Sequence, residues 1–230
     1  MTQTESTNFL YPFIDSEERD SSSLLTDLAA SATAKVHESS AMQQATLAEF
    51  GERIEEAAEQ MAERFTDRGR MYAFGNGGSS TDAATFAALF ARPITGRALP
   101  AVNLAADMSV ITALGNDVGF ELVFSRQIIA HSSGHDVAVA FSTSGNSADL
   151  MAALREAKHR GLLTIGLAGY TGGEMAESDA VDFCFVVRSQ SIHRIQESQA
   201  LLGYQLWSAV QRKLASRAEG TAGHRAEAKA

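Results

Sequence analysis

Two short segments carry residue types that can hold an anion without a basic side chain. The first is Gly75-Asn76-Gly77-Gly78-Ser79-Ser80-Thr81-Asp82, placed after a predicted strand Met71–Phe74 and before a predicted helix from Thr81 to about Ala91. Its glycines permit positive φ and close approach of a ligand to the backbone. Ser79 or Ser80 is positioned to cap the helix, leaving N–H groups and the positive end of the helix dipole facing outward. The spacing is neither a Walker sequence nor GxGxxG, and a tight strand–helix turn is the competing reading. The second segment is Ser142-Thr143-Ser144-Gly145-Asn146-Ser147, which follows a predicted strand Val137–Phe141 and adjoins a helix beginning near Ser147. One or two hydroxyls suffice for capping; four hydroxyls within six residues suggest a phosphate cradle rather than a plain polar turn.

Two further segments have polar residues at turn positions. Thr112-Ala113-Leu114-Gly115-Asn116-Asp117 reads either as part of a ligand site or as a helix stop at Gly115, with Asn116-Asp117 opening the next helix. His193-Arg194-Ile195-Gln196-Glu197 opens a predicted helix that runs to about Ser216. Arg194 and Glu197 are spaced for an ordinary exposed ion pair. His193 and Glu197 are also the two candidates for a catalytic base. Asp107 and Glu121 read as caps or packing partners, and His131, His135 and His159 as surface residues.

The elements that must position these residues follow from hydropathy. Five short apolar runs, Met71–Gly75, Leu99–Leu104, Val137–Ser142, Leu163–Ala168 and Phe183–Val187, are each followed by turn residues and separated mostly by helical stretches. That alternation predicts βαβ units, a parallel sheet and helices on both faces. The anion-binding segments then both follow strand C-termini, where open α/β sheets place ligands. Upstream, Leu24, Leu25, Leu28 and Val36 fit one amphipathic helix; Leu47, Phe50, Ile54, Ala58, Met61 and Phe65 fit a second. Residues 1–20 read as a flexible tail holding an apolar knot, Phe9–Phe13; 21–217 as the folded domain; 218–230 as a disordered tail.

Composition limits the partners. The chain has 230 residues, 45% of them hydrophobic, and a formal net charge of -9. A general nucleic-acid binder needs a basic face, so nucleic acid is not an expected partner. No apolar run approaches the ~18 residues of a membrane span, and the acidic first twenty residues do not resemble a secretory signal. Cys184, the one cysteine, reads as a buried reduced thiol in a cytoplasmic protein.

Taken in register, these motifs resemble the sugar isomerase (SIS) domain family, and within it the phosphoheptose isomerases and the related DnaA-initiator-associating protein. The matching signatures are NGGSxxDA at Asn76–Ala83, LTAxxND near Ile111–Asp117, STSGNS at Ser142–Ser147, GGE at Gly172–Glu174 and RIQE at Arg194–Glu197. The resemblance spans about residues 22–216. It implies a three-layer, flavodoxin-like sandwich with a five-stranded parallel sheet, two N-terminal helices and usually a homotetramer. It also implies phosphate contacts from Ser142, Thr143, Ser144 and Ser147. Sugar contacts would come from Asn76, Gly77, Gly78, Ser79, Asn116, Asp117 and Gln196.

Departures from the pattern bear on chemistry. The histidine and glutamate that phosphoheptose isomerases carry after NGGS correspond to Thr85 and Leu89; two histidines following the RIQE glutamine correspond to Gln199 and Tyr204. Proton transfer between C1 and C2 of a ketose phosphate needs a base, which leucine and threonine cannot supply. The zinc bound by some family members needs His, Cys or carboxylate ligands, and of the expected set only Gln196 remains, so no metal and no other cofactor is expected. Two readings stand. One is an aldose–ketose isomerase of weakened activity, working through an enediol on sedoheptulose 7-phosphate or a similar ketose or amino-sugar phosphate. The other is a non-catalytic protein that senses a sugar phosphate or engages a partner.

Overall fold

The computed structural model describes residues 21–227; the apolar knot Phe9–Phe13 lies outside them. The chain forms α1 (Ser21–Thr66), β1 (Met71–Gly75), α2 (Gly78–Ala91), β2 (Ala101–Asn103), α3 (Met108–Asp117), a 3-10 turn (Phe120–Leu122), α4 (Val123–His131), β3 (Val137–Phe141), α5 (Ala148–His159), β4 (Leu163–Gly169), α6 (Gly173–Glu177), β5 (Phe183–Val187) and α7 (Ile192–Glu227). The five strands make one sheet in the order β2-β1-β3-β4-β5, every neighbouring pair parallel. This is the fold class expected from the alternation of apolar runs and helices.

The strands are buried because both sheet faces are covered. Successive side chains of a strand point to opposite faces, and here they feed two cores. Met71, Ala73, Val137, Val139, Leu163 and Ile165 pack with α1 from Phe50 onward, α2 and α7. Tyr72, Phe74, Ala138 and Ala140 pack with α4 and α5. Side chains such as Phe74, Phe90 and Phe141 are essentially excluded from solvent. Each fully buried residue of this size stabilises by roughly 2–3 kcal/mol relative to exposure.

Several boundaries differ from the sequence expectation. The two N-terminal amphipathic stretches run as one helix of 46 residues. β2 is shorter than its apolar run because Leu99 N–H bonds back to the Phe90 carbonyl of α2, and pairing with β1 spans only Ala101–Asn103. α3 passes through Gly115 and ends at Asp117, with Asp107 as its cap: the Asp107 carboxylate accepts from the N–H groups of Ser109 and Val110. α7 continues past Ser216 to Glu227.

Candidate functional site

The strand order fixes where a ligand can enter. Chain growth moves from β1 to one side for β2 and to the other for β3, so the connections leaving β1 and β3 diverge and open a crevice at their C-terminal ends. The two anion-type segments leave those two strands. Gly75, the last residue of β1, is in register with Phe141, the last of β3. Beyond that point the segments are tied together: Asn76 Nδ2 donates to Asp149 Oδ2 at 2.8 Å, and Asp149 is buried in the first turn of α5. The structure therefore brings Asn76–Ser79 and Ser142–Ser147 to the same rim, with Gly77 and Gly78 exposed.

Local geometry of the first segment departs from the expected cap. α2 begins at Gly78, and Gly77, at φ 54°, is its N-cap with no side-chain hydrogen bond. A positive φ turns the chain immediately after the strand, so Ser79 and Ser80 fall inside the first helical turn and do not cap it. Ser79 is buried at 6% exposure.

In the second segment the hydroxyls divide their labour. Ser142 is buried, and its Oγ accepts the Gly145 N–H at 2.9 Å, which shapes the loop. Ser144 Oγ accepts the Asn146 N–H at 3.3 Å. Ser147 is the N-cap residue of α5 yet makes no side-chain cap bond. Its hydroxyl and the first N–H groups of α5 thus remain unsatisfied by side-chain capping, as an anion cradle requires.

The GGE segment acts as a brace under this loop. Gly145 stands at φ 70°, and a β-carbon there would lie 1.9 Å from the Gly172 carbonyl oxygen. Glu174 N–H donates to Asn146 Oδ1 at 2.8 Å, and Met175 N–H to the Gly145 carbonyl at 2.9 Å.

The start of α7 completes the neighbourhood. Gly169 lacks a side chain where Ile195 and the Thr143 carbonyl approach, so α7 sits close against the rim. Gln196 lies over Gly78, and its Nε2 donates to Asp82 Oδ2 at 3.0 Å. Gln199 is fully buried and donates from Nε2 to the Ser142 carbonyl at 2.9 Å. Between α2 and α7 opens a cleft of about 70 Å³. Its lining includes Asp82, Thr85, Phe86 and Leu89 of α2, Phe141 of β3 and Gln199 of α7. Burial raises the Asp82 carboxyl above its ordinary value, with the Gln196 hydrogen bond pulling the other way. Asp82 and the cleft it lines were not singled out from sequence. The signal was its place one helical turn beyond Gly78, on the face that α7 covers.

The remaining candidates lie elsewhere. His193 is exposed, and Glu197 is exposed and ion-paired with Arg194; neither lines the cleft. Asn116 and Asp117 are exposed at the end of α3, Asn116 Nδ2 donating to Asp117 Oδ1 at 2.7 Å. Among the described residues no hydrogen bond joins them to the two rim loops.

The donor set does not fit zinc. Thr85 and Leu89 line the cleft but supply no imidazole or carboxylate, and the Thr85 hydroxyl is given to the Thr81 carbonyl. Tyr204 is half exposed and packs against Trp207. Among the described residues no cluster of three or more His, Cys, Asp or Glu is close enough to hold a metal ion.

A parallel sheet in this order, with serine- and glycine-rich turns at its β1/β3 crevice, defines an α/β domain whose loops at the topological switch point are suited to an anion. Residues 36–169 match the SIS domain, and the chain belongs to that family. It is similar to phosphoheptose isomerases. That of Rhodospirillum rubrum is 42% identical over 165 residues, covering 71% of this chain and 87% of the relative. That of Aneurinibacillus thermoaerophilus is 39% identical, covering 66% and 76%. Among solved structures, a phosphoheptose isomerase from Neisseria gonorrhoeae superposes with a TM-score of 0.74 at 36% identity, over 80% of this chain and 98% of that one.

Proposed function

We propose that this protein binds a phosphorylated ketose at the β1/β3 rim and is related in function to D-sedoheptulose 7-phosphate isomerase, with much weaker turnover. The observation that carries this reading is the joining of two hydroxyl- and glycine-rich loops at one sheet edge through the Asn76–Asp149 hydrogen bond. Phosphate oxygens would be held by Ser144, Thr143, the unused hydroxyl of Ser147 and the first N–H groups of α5, with Ser142 setting the loop's shape. The sugar would extend over Gly77 and Gly78 toward Gln196. No zinc takes part, and Leu89 stands where the related enzymes carry a glutamate, so the base that moves a proton between C1 and C2 is lacking.

An exposed apolar face beside Asn116 and Asp117 supports an assembled form. None of the residues of α3 is buried, and Met108, Val118 and Phe120 are exposed beside Asn116 and Asp117. A cytoplasmic homotetramer, in which this apolar face is covered and Asn116 and Asp117 reach a ligand, is the setting we assign; sizing by light scattering checks it.

Calorimetry with a panel of sugar phosphates tests the function. We expect binding of sedoheptulose 7-phosphate that weakens about tenfold or more in Ser144→Ala, the loss of one hydrogen bond to a charged group. No heat with any member of the panel rejects the pocket. NMR of sedoheptulose 7-phosphate with enzyme tests the chemistry. Turnover comparable to a phosphoheptose isomerase, abolished by Glu197→Gln, would reject the weakened-base reading and identify the base instead.

A further inference from the structure

β2 lies at one end of the sheet, so one of its edges has no strand beside it. Met71 N–H donates to the Pro100 carbonyl, and Leu104 N–H to the Ala73 carbonyl. Backbone groups alternate in direction along a strand, so those of Ala101 and Asn103 point away from β1. The Asn103 carbonyl accepts the Ala106 N–H. The Ala101 N–H and carbonyl and the Asn103 N–H have no protein partner among the described residues. Unpaired groups on a sheet edge are a template for another strand.

An open groove of about 450 Å³ lies against this edge. Its lining includes Ala91, Ala98, Leu99, Pro100 and Val102, with Arg70 as the charged member. The loop that borders it is held in place. The Gln211 side-chain amide accepts the Arg97 N–H at 2.8 Å and donates to the Arg97 carbonyl at 2.9 Å. Ile94 projects from this loop fully exposed. Arg92 and Arg97, both exposed, are chain neighbours of the lining residues Ala91 and Ala98. No acidic residue occurs between Asp82 and Asp107. Asp136, which accepts the Arg70 N–H, is buried and also accepts the Ser133 N–H. In a chain of net charge -9, the groove therefore has arginines at its border and no carboxylate in its lining.

We propose that the β2 edge docks an extended acidic peptide segment of another protein, which adds to the sheet as a further strand. Its backbone pairs with Ala101 and Asn103. Its apolar side chains enter the groove beside Leu99, Pro100 and Val102, and its carboxylates face Arg70, Arg92 and Arg97. Charge selects against other occupants. A second copy brings like charges together, and nucleic acid meets a protein that is acidic overall. The site is separate from the two rim loops, which follow β1 and β3, so it does not depend on the sugar-phosphate reading.

Fluorescence anisotropy on the full chain tests this. The probes are a fluorescein-labelled peptide of alternating glutamate and valine and a matching peptide of lysine and valine. The acidic peptide is expected to bind at least about tenfold more tightly than the basic one, and to weaken as NaCl rises from about 50 to about 500 mM. Arg92→Glu combined with Arg97→Glu should weaken it about tenfold or more. Ala101→Pro removes an outward N–H at an edge position, where proline is tolerated, and should weaken binding, with thermal melting as the check on the fold. N-methylation of the peptide at every residue removes its N–H donors and should abolish binding; this arm decides the question even where Ala101→Pro does not fold. No binding of the acidic peptide, equal binding of the two peptides, or unchanged binding in the double arginine variant overturns the proposal. So does binding of the N-methylated peptide. Self-association by light scattering that is lost in the double variant overturns it in favour of a second copy. A single-stranded oligonucleotide that binds and displaces the acidic peptide overturns it in favour of nucleic acid.

Discussion

Ser147 and Cys184 show how environment, not residue type, decides what a polar side chain does. Ser147 occupies an N-cap position but caps nothing, so removing its hydroxyl should cost little stability. Ser147→Ala is expected to leave the melting temperature within about 1 °C while lowering phosphate affinity roughly tenfold, read by paired calorimetry and thermal melting. Cys184 lies on β5 among apolar residues, and burial pushes its thiol up to about 11. The thiolate is the reactive form. Alkylation by iodoacetamide at pH 8 should therefore be much slower than for a free cysteine, and should accelerate only on unfolding.

At the scale of elements, the phosphate loop is held from below. The STSGNS turn owes its form to Gly145 at positive φ and to the Gly172–Glu174 segment pressed against it. Gly145→Ala adds a β-carbon into the Gly172 carbonyl at a backbone conformation unfavourable for L-residues, and should destabilise by roughly 3 kcal/mol. Chemical denaturation measures it. Asn146→Ala removes the acceptor of the Glu174 N–H and leaves the fold intact. We expect phosphate affinity to fall with a loss of about 1 kcal/mol in stability; unchanged affinity would mean that the brace does not set the cradle. The helix start at Gly77 belongs to the same scale. It displaced the expected serine cap because the strand turns at once into the helix through a positive-φ conformation that glycine adopts without strain.

At the scale of the chain, charge is spent on tying helices together. Glu55, Glu59 and Glu63 of α1 face Arg212, Lys213 and Arg217 of α7 in a ladder of ion pairs. Hydrogen bonds from Arg217 and Lys213 hold the Glu59 carboxyl below its ordinary 4.5, and Glu59 and Glu55 hold the Lys213 ammonium above its ordinary 10.5. The signs follow from linkage. The depressed Glu59 contributes stability above pH 4.5 that is lost as pH falls through its folded value. The raised Lys213 contributes stability below pH 10.5 that is lost as pH rises through its folded value. Because the pairs are solvent-exposed, salt screens them. Glu59→Lys should lower the melting temperature at low salt, with most of the difference gone in 1 M NaCl.

The fold is largely legible in the sequence. Apolar runs such as Val137–Phe141, too short for helices and flanked by turn residues, determined a parallel sheet, because only strands covered on both faces are apolar throughout. Hydroxyl- and glycine-rich turns after two of those strands pointed to the strand C-termini as the place where an anion would fit, and the structure brings those turns to one rim. Other features were not local properties of the chain. The joining of α1 into one helix, the passage of α3 through Gly115 and the Gly77 cap each depended on neighbours that propensity does not see. The same is true of the cleft: Asp82 and Gln199 are separated by more than a hundred residues, and only the packing of α7 on α2 places both in one lining. Sequence specified which groups could bind and at which edge of the sheet; tertiary structure decided which of those groups were already consumed by hydrogen bonds and which were left for a ligand.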